Sequence, residues 1–255
     1  HALLSADLAN ELLGNAWPEA RQAITYHHRP AHSAAGRVTR LVAIADRLSS
    51  GEREPSDEAE PQQLLLIFER LYAQDARPRG ESRYLPLQPL RMASEVLFAQ
   101  PAPRGEDTRD AYARLWEAFR RDVQGVKSAG ASADGQTLVS HLLHLLRQYT
   151  WCIPSAAWRS VPDVSLYDHS RMTAALAVCL ASLPDDDLAT LLNAPEQRNL
   201  PVALLMGGDI SGIQEFLYTI TPRGAAPALR GRSLYLQMLT EAAARYVLDA
   251  LGLPE

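Results

Sequence analysis

The chain has 255 residues, of which 47% are hydrophobic, and its formal net charge is −5. This length suits one large domain or two smaller ones, and the weak negative charge argues against a protein that coats nucleic acid through bulk charge. Two cysteines are too few for a disulfide framework or a zinc cluster. Without a signal peptide or an apolar run of about 18 residues, the sequence predicts a soluble, cytoplasmic protein that makes no use of a membrane.

Apolar residues recur at helical spacing through the first 200 residues. Leu4, Leu8 and Leu12 predict a first helix, and Pro18 is well suited to open a second. Val38, Leu41, Val42, Ala45 and Leu48 predict a third helix over 34–48. Further helices are predicted in QLLLIFERLYA, around 112–123, in TLVSHLLHLLRQY and in SLYDHSRMTAALAVCLASL, where Ser165 and Asp168 match an N-terminal capping box.

The last quarter of the chain has a different character. A short strand is predicted over 202–206 (VALLM), followed by GGDISGIQEF and by a final helix from 233 to about 251. The sequence therefore predicts a mostly α-helical fold for residues 1–200. The start of an α+β, ferredoxin-like palm of the cyclase type is predicted to follow.

Four chemically active residues fall on or beside the apolar faces of the first three helices. They are His1, His27, His28 and Asp46. A buried ionised carboxylate is costly unless it is paired or bound to metal, and imidazole with carboxylate suits divalent transition metals. The spacing alone also allows Asp46 to pair with Arg47, Arg40 or a helix terminus, with the histidines merely ending a helix.

A second group of candidates follows the predicted strand. Asp209 stands at the end of the strand, and glycines allow the backbone to approach a ligand closely. Backbone amides near Ser211, with a helix beginning at Ser233 beside Arg232, would favour phosphate. These residues predict a nucleotide site with Mg²⁺, made of Gly208, Asp209, Ser211, Gly212, Arg232 and Ser233. The alternative is a strand, a solvated basic loop and a helix without a ligand.

Four phrases in fixed order resemble one family: ADRLSSGER, WCIPS…PDVSLYDHSRMTAALA, GDISGIQEF and LRGRSLYLQML. They are similar to the large ("Cas ten") subunit of type III-A CRISPR–Cas effector complexes. The resemblance implies an HD-type nuclease that cuts single-stranded DNA with a divalent metal such as Mn, Ni or Mg. It also implies palm domains that make cyclic oligoadenylate from ATP with Mg. Other effector subunits, guide RNA and target RNA are the implied partners, and target RNA is the implied activator.

The resemblance also assigns residues and boundaries. His1, His27, His28 and Asp46 match metal-binding positions of the HD domain, and Asp209 matches the nucleotide-facing strand of the first palm. The implied domains are 1–98 for the HD nuclease, 99–199 for a helical connector and 200–255 for the first half of a palm. The His-Asp dyad and the second palm are not in this sequence, so we expect one portion of a longer polypeptide. No chemical role is assigned to Asp168 and His169, because helix capping and packing in the core suffice to explain them.

Two other functions fit the same residues. One is a member of the same complexes whose catalytic sites have decayed and which acts as a scaffold. The other is an HD phosphohydrolase joined to a cyclase in a second-messenger regulator.

Overall fold

The computed structural model describes residues 9, 17–50, 63–71, 82–101, 108–128, 135–156, 160–194, 200–219 and 225–252. The chain divides between Ala203 and Leu204 into two compact units. The residues that mark the first predicted helix, Leu4, Leu8 and Leu12, lie outside the described residues, as does His1. The predicted domain boundary at 98/99 and the one at 199/200 remain predictions.

The first unit is mostly helical, as predicted. Its helices are α1 (Pro18–Tyr26), α2 (Arg37–Ser49), α3 (Ser94–Leu97), α4 (Thr108–Ser128), α5 (Gly135–Thr150), α6 (Leu166–Leu180) and α7 (Asp185–Asn193). A two-stranded antiparallel sheet, β1 (Arg83–Tyr84) and β2 (Gln100–Pro101), is the one sheet among the described residues.

Local signals set the ends of two helices that matter for the site. Pro18 occupies the first turn of α1, where a missing N–H costs nothing. At the start of α6 the Ser165 hydroxyl oxygen accepts the Asp168 N–H at 3.0 Å and donates its proton to Asp168 Oδ2 at 2.7 Å. The predicted cap at Ser165 is therefore confirmed, and it fixes which residues α6 turns inward.

Two cores hold the first unit together. In one, α2 packs against α6 and α7, and its fully or nearly buried members are Leu41, Ile44, Ala45, Leu180 and Leu188. The other joins α4 and α5 around Leu115, Phe119, Val123, Leu145 and Tyr149. The predicted apolar stripe of α2 is correct at Leu41 and Ala45, whereas Leu48 is exposed.

The helix predicted in QLLLIFERLYA is wrong over its described part. Residues 64–66 are extended, and a single 3₁₀ turn (Ile67–Glu69) follows. Leu65 N–H donates to the Pro162 carbonyl at 2.7 Å, and Leu66 N–H donates to the Arg83 carbonyl at 2.9 Å. A short apolar run is compatible with helix or strand, and here pairing with distant backbone decides in favour of the extended form.

The second unit contains α8 (Ile213–Tyr218) and α9 (Ala225–Ala250). The strand predicted over 202–206 does not form: these residues have no regular structure, and Leu204 and Leu205 are exposed. A strand is stabilised by hydrogen bonds to a neighbour, and no described residue of this unit supplies one. The start of a palm fold is thus not confirmed. The final helix begins at Ala225 rather than at Ser233.

No helix within the described ranges is both long enough and apolar enough to cross a lipid bilayer.

Candidate functional site

Asp46 lies on α2 near the junction of α1, α2 and α6, and 24% of its side chain is exposed. Its neighbour Ala45 is fully buried against α6 and α7, so the backbone at this point is fixed by the core. The carboxylate therefore stands at the edge of the core with one side open. Arg47 does not pair with it, because that guanidinium donates to the Leu192 carbonyl at 3.2 Å.

His169 is the strongest described partner of Asp46. Its Nε2 atom lies 3.0 Å from Asp46 Oδ1, and only 8% of its side chain is exposed. An ionised carboxylate can only accept hydrogen bonds, so Nε2 carries the proton and donates it. The predicted connector thus contributes a side chain directly to the Asp46 site.

His28 lies on the open side of the carboxylate. Its Nδ1 atom is 4.0 Å from Asp46 Oδ2, beyond hydrogen-bond distance, and 66% of its side chain is exposed. His27 stacks obliquely on His28 with ring centroids 4.0 Å apart. His27 Nδ1 lies 2.9 Å from the Ala23 carbonyl and 3.1 Å from the Ile24 carbonyl, so Nδ1 donates and Nε2 is the basic nitrogen.

These neighbours set the charge of Asp46. The hydrogen bond from His169 lowers the pKa of the Asp46 carboxyl, while burial acts in the opposite direction. The charges of His169, His28 and His27 lower the pKa further. The carboxylate is therefore ionised at neutral pH, which is the form that binds cations.

A hydroxyl network surrounds the far side of His169. Ser49 Oγ lies 3.1 Å from His169 Nδ1, 2.8 Å from Thr173 Oγ1 and 3.0 Å from the Asp46 carbonyl oxygen. Thr173 Oγ1 in turn donates to the His169 carbonyl at 2.9 Å. The network links the last turn of α2 to the first half of α6.

The donor atoms around Asp46 suit a divalent metal, but the described residues do not complete a ligand set. Among them, no group of three or more His, Cys, Asp or Glu side chains could hold a metal ion. Asp46 Oδ2 and His28 Nδ1 are two candidate ligands, whereas catalytic metals usually have three protein ligands. His1, the further predicted ligand, lies outside the described residues.

Arg37, at the start of the helix that carries Asp46, forms an ion pair with Asp185 and donates to the carbonyls of Ala181 and Leu183 at 3.0 and 2.7 Å. Its guanidinium therefore satisfies the end of α6 and the start of α7, so it serves packing.

The second predicted site lies in the second unit. Gly208, Asp209 and Ser211 are exposed, and Gly212 has φ = 78° at the N-cap of α8. That left-handed conformation favours glycine, so the predicted glycine turn forms at Gly212. Gly207 and Gly208 do not have positive φ.

Arg232 and Ser233 are not placed as expected. Both lie inside α9, so Ser233 caps no helix, and the predicted phosphate site at a helix start beside Arg232 is wrong in that respect. The Arg232 guanidinium lies 5.2 Å from the centroid of the Phe216 ring and donates to the Phe216 carbonyl. This contact holds α8 against α9.

His169 is the residue that sequence reasoning missed, although a signal was present. The Ser165 cap fixes the register of α6, and His169, Thr173, Ala177 and Leu180 then share one face at helical spacing. A histidine on a core-facing stripe needs a polar partner. Asp46, the aspartate on the apolar helix α2, likewise needs a polar partner.

Comparison with known proteins shows which family the chain belongs to. The model of the family "Csm1 subunit domain B" matches residues 202–255. Over 250 residues the chain is 33% identical to the CRISPR system single-strand-specific deoxyribonuclease Cas10/Csm1 (subtype III-A) of Methanocaldococcus jannaschii, covering 84% of this chain and 30% of that protein. The chain belongs to the Cas10/Csm1 family. The proteins of the same name from Mycobacterium tuberculosis and Streptococcus thermophilus are 31% and 28% identical, covering 91% and 99% of this chain and 30% and 34% of theirs.

The chain thus spans about a third of the length of the Cas10/Csm1 relatives it matches. Its first unit includes the Asp46 site, and the match to the Csm1 domain model begins at residue 202, next to the division between the units. The deoxyribonuclease activity in the names of those relatives is therefore considered for this chain only as a proposal.

Proposed function

We propose that the chain is part of a subunit of a type III-A CRISPR complex that cuts single-stranded DNA with a divalent metal at the Asp46 site. The observation that carries the proposal is the geometry of Asp46: one carboxylate oxygen accepts from His169, and the other faces His28 on the open side. The relatives are named single-strand-specific deoxyribonucleases, and an ionised carboxylate beside imidazole nitrogens is a donor set that suits divalent metals.

In this proposal Asp46, His27, His28 and His1 contribute to binding Mn²⁺, Ni²⁺, Mg²⁺ or a similar ion. A bound metal would lower the pKa of water and supply hydroxide at neutral pH. The described side chains would keep Asp46 ionised and leave its Oδ2 toward the open side. Guide RNA, target RNA and the other effector subunits would be partners of the complete complex, with target RNA as activator.

We further propose that the second unit contributes to ATP binding with Mg²⁺ and to synthesis of cyclic oligoadenylate. The match to the Csm1 subunit domain B covers this unit, and the left-handed Gly212 beside exposed Ser211 and Asp209 is compatible with a phosphate turn. Because Arg232 contacts Phe216 and Ser233 lies within a helix, the proposal depends on the segment 208–212.

Reciprocal variants test both proposals in the full-length protein assembled with its RNA and partner subunits. Asp46→Ala should abolish Mn²⁺-dependent cleavage of single-stranded DNA and leave oligoadenylate synthesis unchanged. Asp209→Ala should slow oligoadenylate synthesis and leave cleavage unchanged, so each variant is the control for the other.

The outcomes also separate the alternatives. Undiminished cleavage in Asp46→Ala would remove Asp46 from the nuclease site. An assembled wild-type complex that neither cuts DNA nor makes oligoadenylate would favour a scaffold. An active protein that purifies without RNA or partner subunits would favour a second-messenger phosphohydrolase.

A further inference from the structure

Both ring nitrogens of His169 are occupied within the protein. Nε2 donates to Asp46 Oδ1 at 3.0 Å, and Nδ1 lies 3.1 Å from Ser49 Oγ. The side chain is nearly buried. A histidine that binds a metal needs an unprotonated nitrogen with a free lone pair directed at the ion. His169 therefore has no nitrogen available as a ligand, and only 8% of its side chain is exposed to a DNA substrate.

The same contacts restrict Asp46. The side chain of an aspartate on a half-exposed helix face can rotate, and either oxygen can then face outward. The bond from His169 occupies Oδ1 on the core side, and the rotation of His169 itself is limited by the Ser49 hydroxyl, which in turn contacts the Thr173 hydroxyl. As a result, Oδ2 is the oxygen that faces His28 on the open side.

We propose that His169 is a positioning residue: it holds the Asp46 carboxylate by Oδ1 so that Oδ2 is presented to the metal, and Ser49, which Thr173 contacts in turn, fixes the orientation of its ring. The inference rests on the proposed metal site at Asp46. Carboxylates and histidines that bind metals are commonly oriented by such outer hydrogen bonds, and loss of one typically costs about 10–100-fold in metal affinity or activity.

The connected contacts Ser49–His169–Asp46 also have the order of a hydrolytic triad, but the surroundings argue against a serine nucleophile. Ser49 Oγ also lies 3.0 Å from the Asp46 carbonyl oxygen, and Ser49 is the last residue of α2. The negative end of the helix dipole lies at that terminus and would oppose an oxyanion. The network is therefore suited to orienting Asp46.

Two substitutions of His169 separate positioning from simple packing. The terminal amide nitrogen of glutamine can replace Nε2 and donate to Asp46 Oδ1, whereas the shorter asparagine can replace only Nδ1 and keep the contact with Ser49. Both remove the ring, so a role in packing alone would affect both similarly. A role in positioning should distinguish them.

The test measures Mn²⁺ affinity of the full-length protein by isothermal titration calorimetry, together with thermal unfolding and DNA cleavage. His169→Asn should weaken Mn²⁺ binding about 10–100-fold, and His169→Gln should stay within a few-fold of wild type. Ser49→Ala, which removes only the hydroxyl that orients the ring, should weaken binding a few-fold and provides the measurement if His169→Asn does not fold.

Asp46→Asn distinguishes failure of this inference from failure of the proposed function. If Asp46→Asn loses Mn²⁺ binding while the His169→Asn and Ser49→Ala variants bind as wild type, the positioning role is refuted and the metal site stands. If His169→Gln and His169→Asn lose Mn²⁺ affinity equally, and both also have lower thermal stability, then His169 contributes only to packing. Unchanged Mn²⁺ binding in Asp46→Asn would refute the metal site itself.

Discussion

The energetic coupling between Asp46 and His169 can be measured with a double-mutant cycle. The variants are Asp46→Ala, His169→Ala and the double variant, and the free energy of unfolding of each comes from urea titration followed by circular dichroism. A hydrogen bond to a charged group contributes about 1.5–3 kcal/mol. Because Asp46 is partly exposed and His169 nearly buried, we expect a coupling energy near the lower limit, about 1.5 kcal/mol. The cycle cancels the separate cost of the cavity left by His169.

An exposed pair of the same length provides the control. Arg245 Nε and Glu241 Oε1 are also 3.0 Å apart, and each side chain is more than half exposed. Exposed pairs four residues apart on a helix typically couple by about 0.3–0.5 kcal/mol. A coupling energy for Asp46 and His169 no larger than that of the control pair would mean that burial does not strengthen the contact, and the argument that His169 fixes the carboxylate would lose its energetic basis.

Two further predictions concern the core of the first unit. Leu180→Ala should lower the free energy of unfolding by about 2–5 kcal/mol, because Leu180 is fully buried between α2 and α7. Leu143→Ala, at a 47% exposed site, should change it by less than about 0.5 kcal/mol. Equal effects of the two substitutions in urea titrations would contradict the packing. Burial raises the pKa of the Cys152 thiol to about 12, and a thiol is reactive only as thiolate, so at pH 8 a disulfide reagent should label exposed Cys179 in the native protein and Cys152 only after denaturation. Rapid labelling of both native thiols would contradict the burial.

The sequence was most informative where one local signal decides the outcome. Pro18, the Ser165 cap and the apolar spacing of Leu115, Phe119 and Val123 correctly predicted helices. Each of these signals acts within a few residues of the chain. The lone aspartate on an apolar helix was likewise a sound indication that Asp46 has a polar partner.

The sequence was least informative where distant segments decide the structure. Leu65 and Leu66 are extended because they pair with backbone about a hundred and about twenty residues away, respectively. The same limitation hid His169, which reaches Asp46 across 123 positions of the chain. The helix start predicted at Ser233 is wrong because the glycine and arginine residues upstream of it join the helix, which begins at Ala225.

The most direct test of the central claim is a crystal structure of the full-length protein soaked with Mn²⁺ and measured at the manganese absorption edge. We predict an anomalous peak within coordination distance of Asp46 Oδ2, with His169 Nε2 still bonded to Oδ1. Manganese bound elsewhere in the nuclease region, with Asp46 outside its coordination sphere, would contradict the claim.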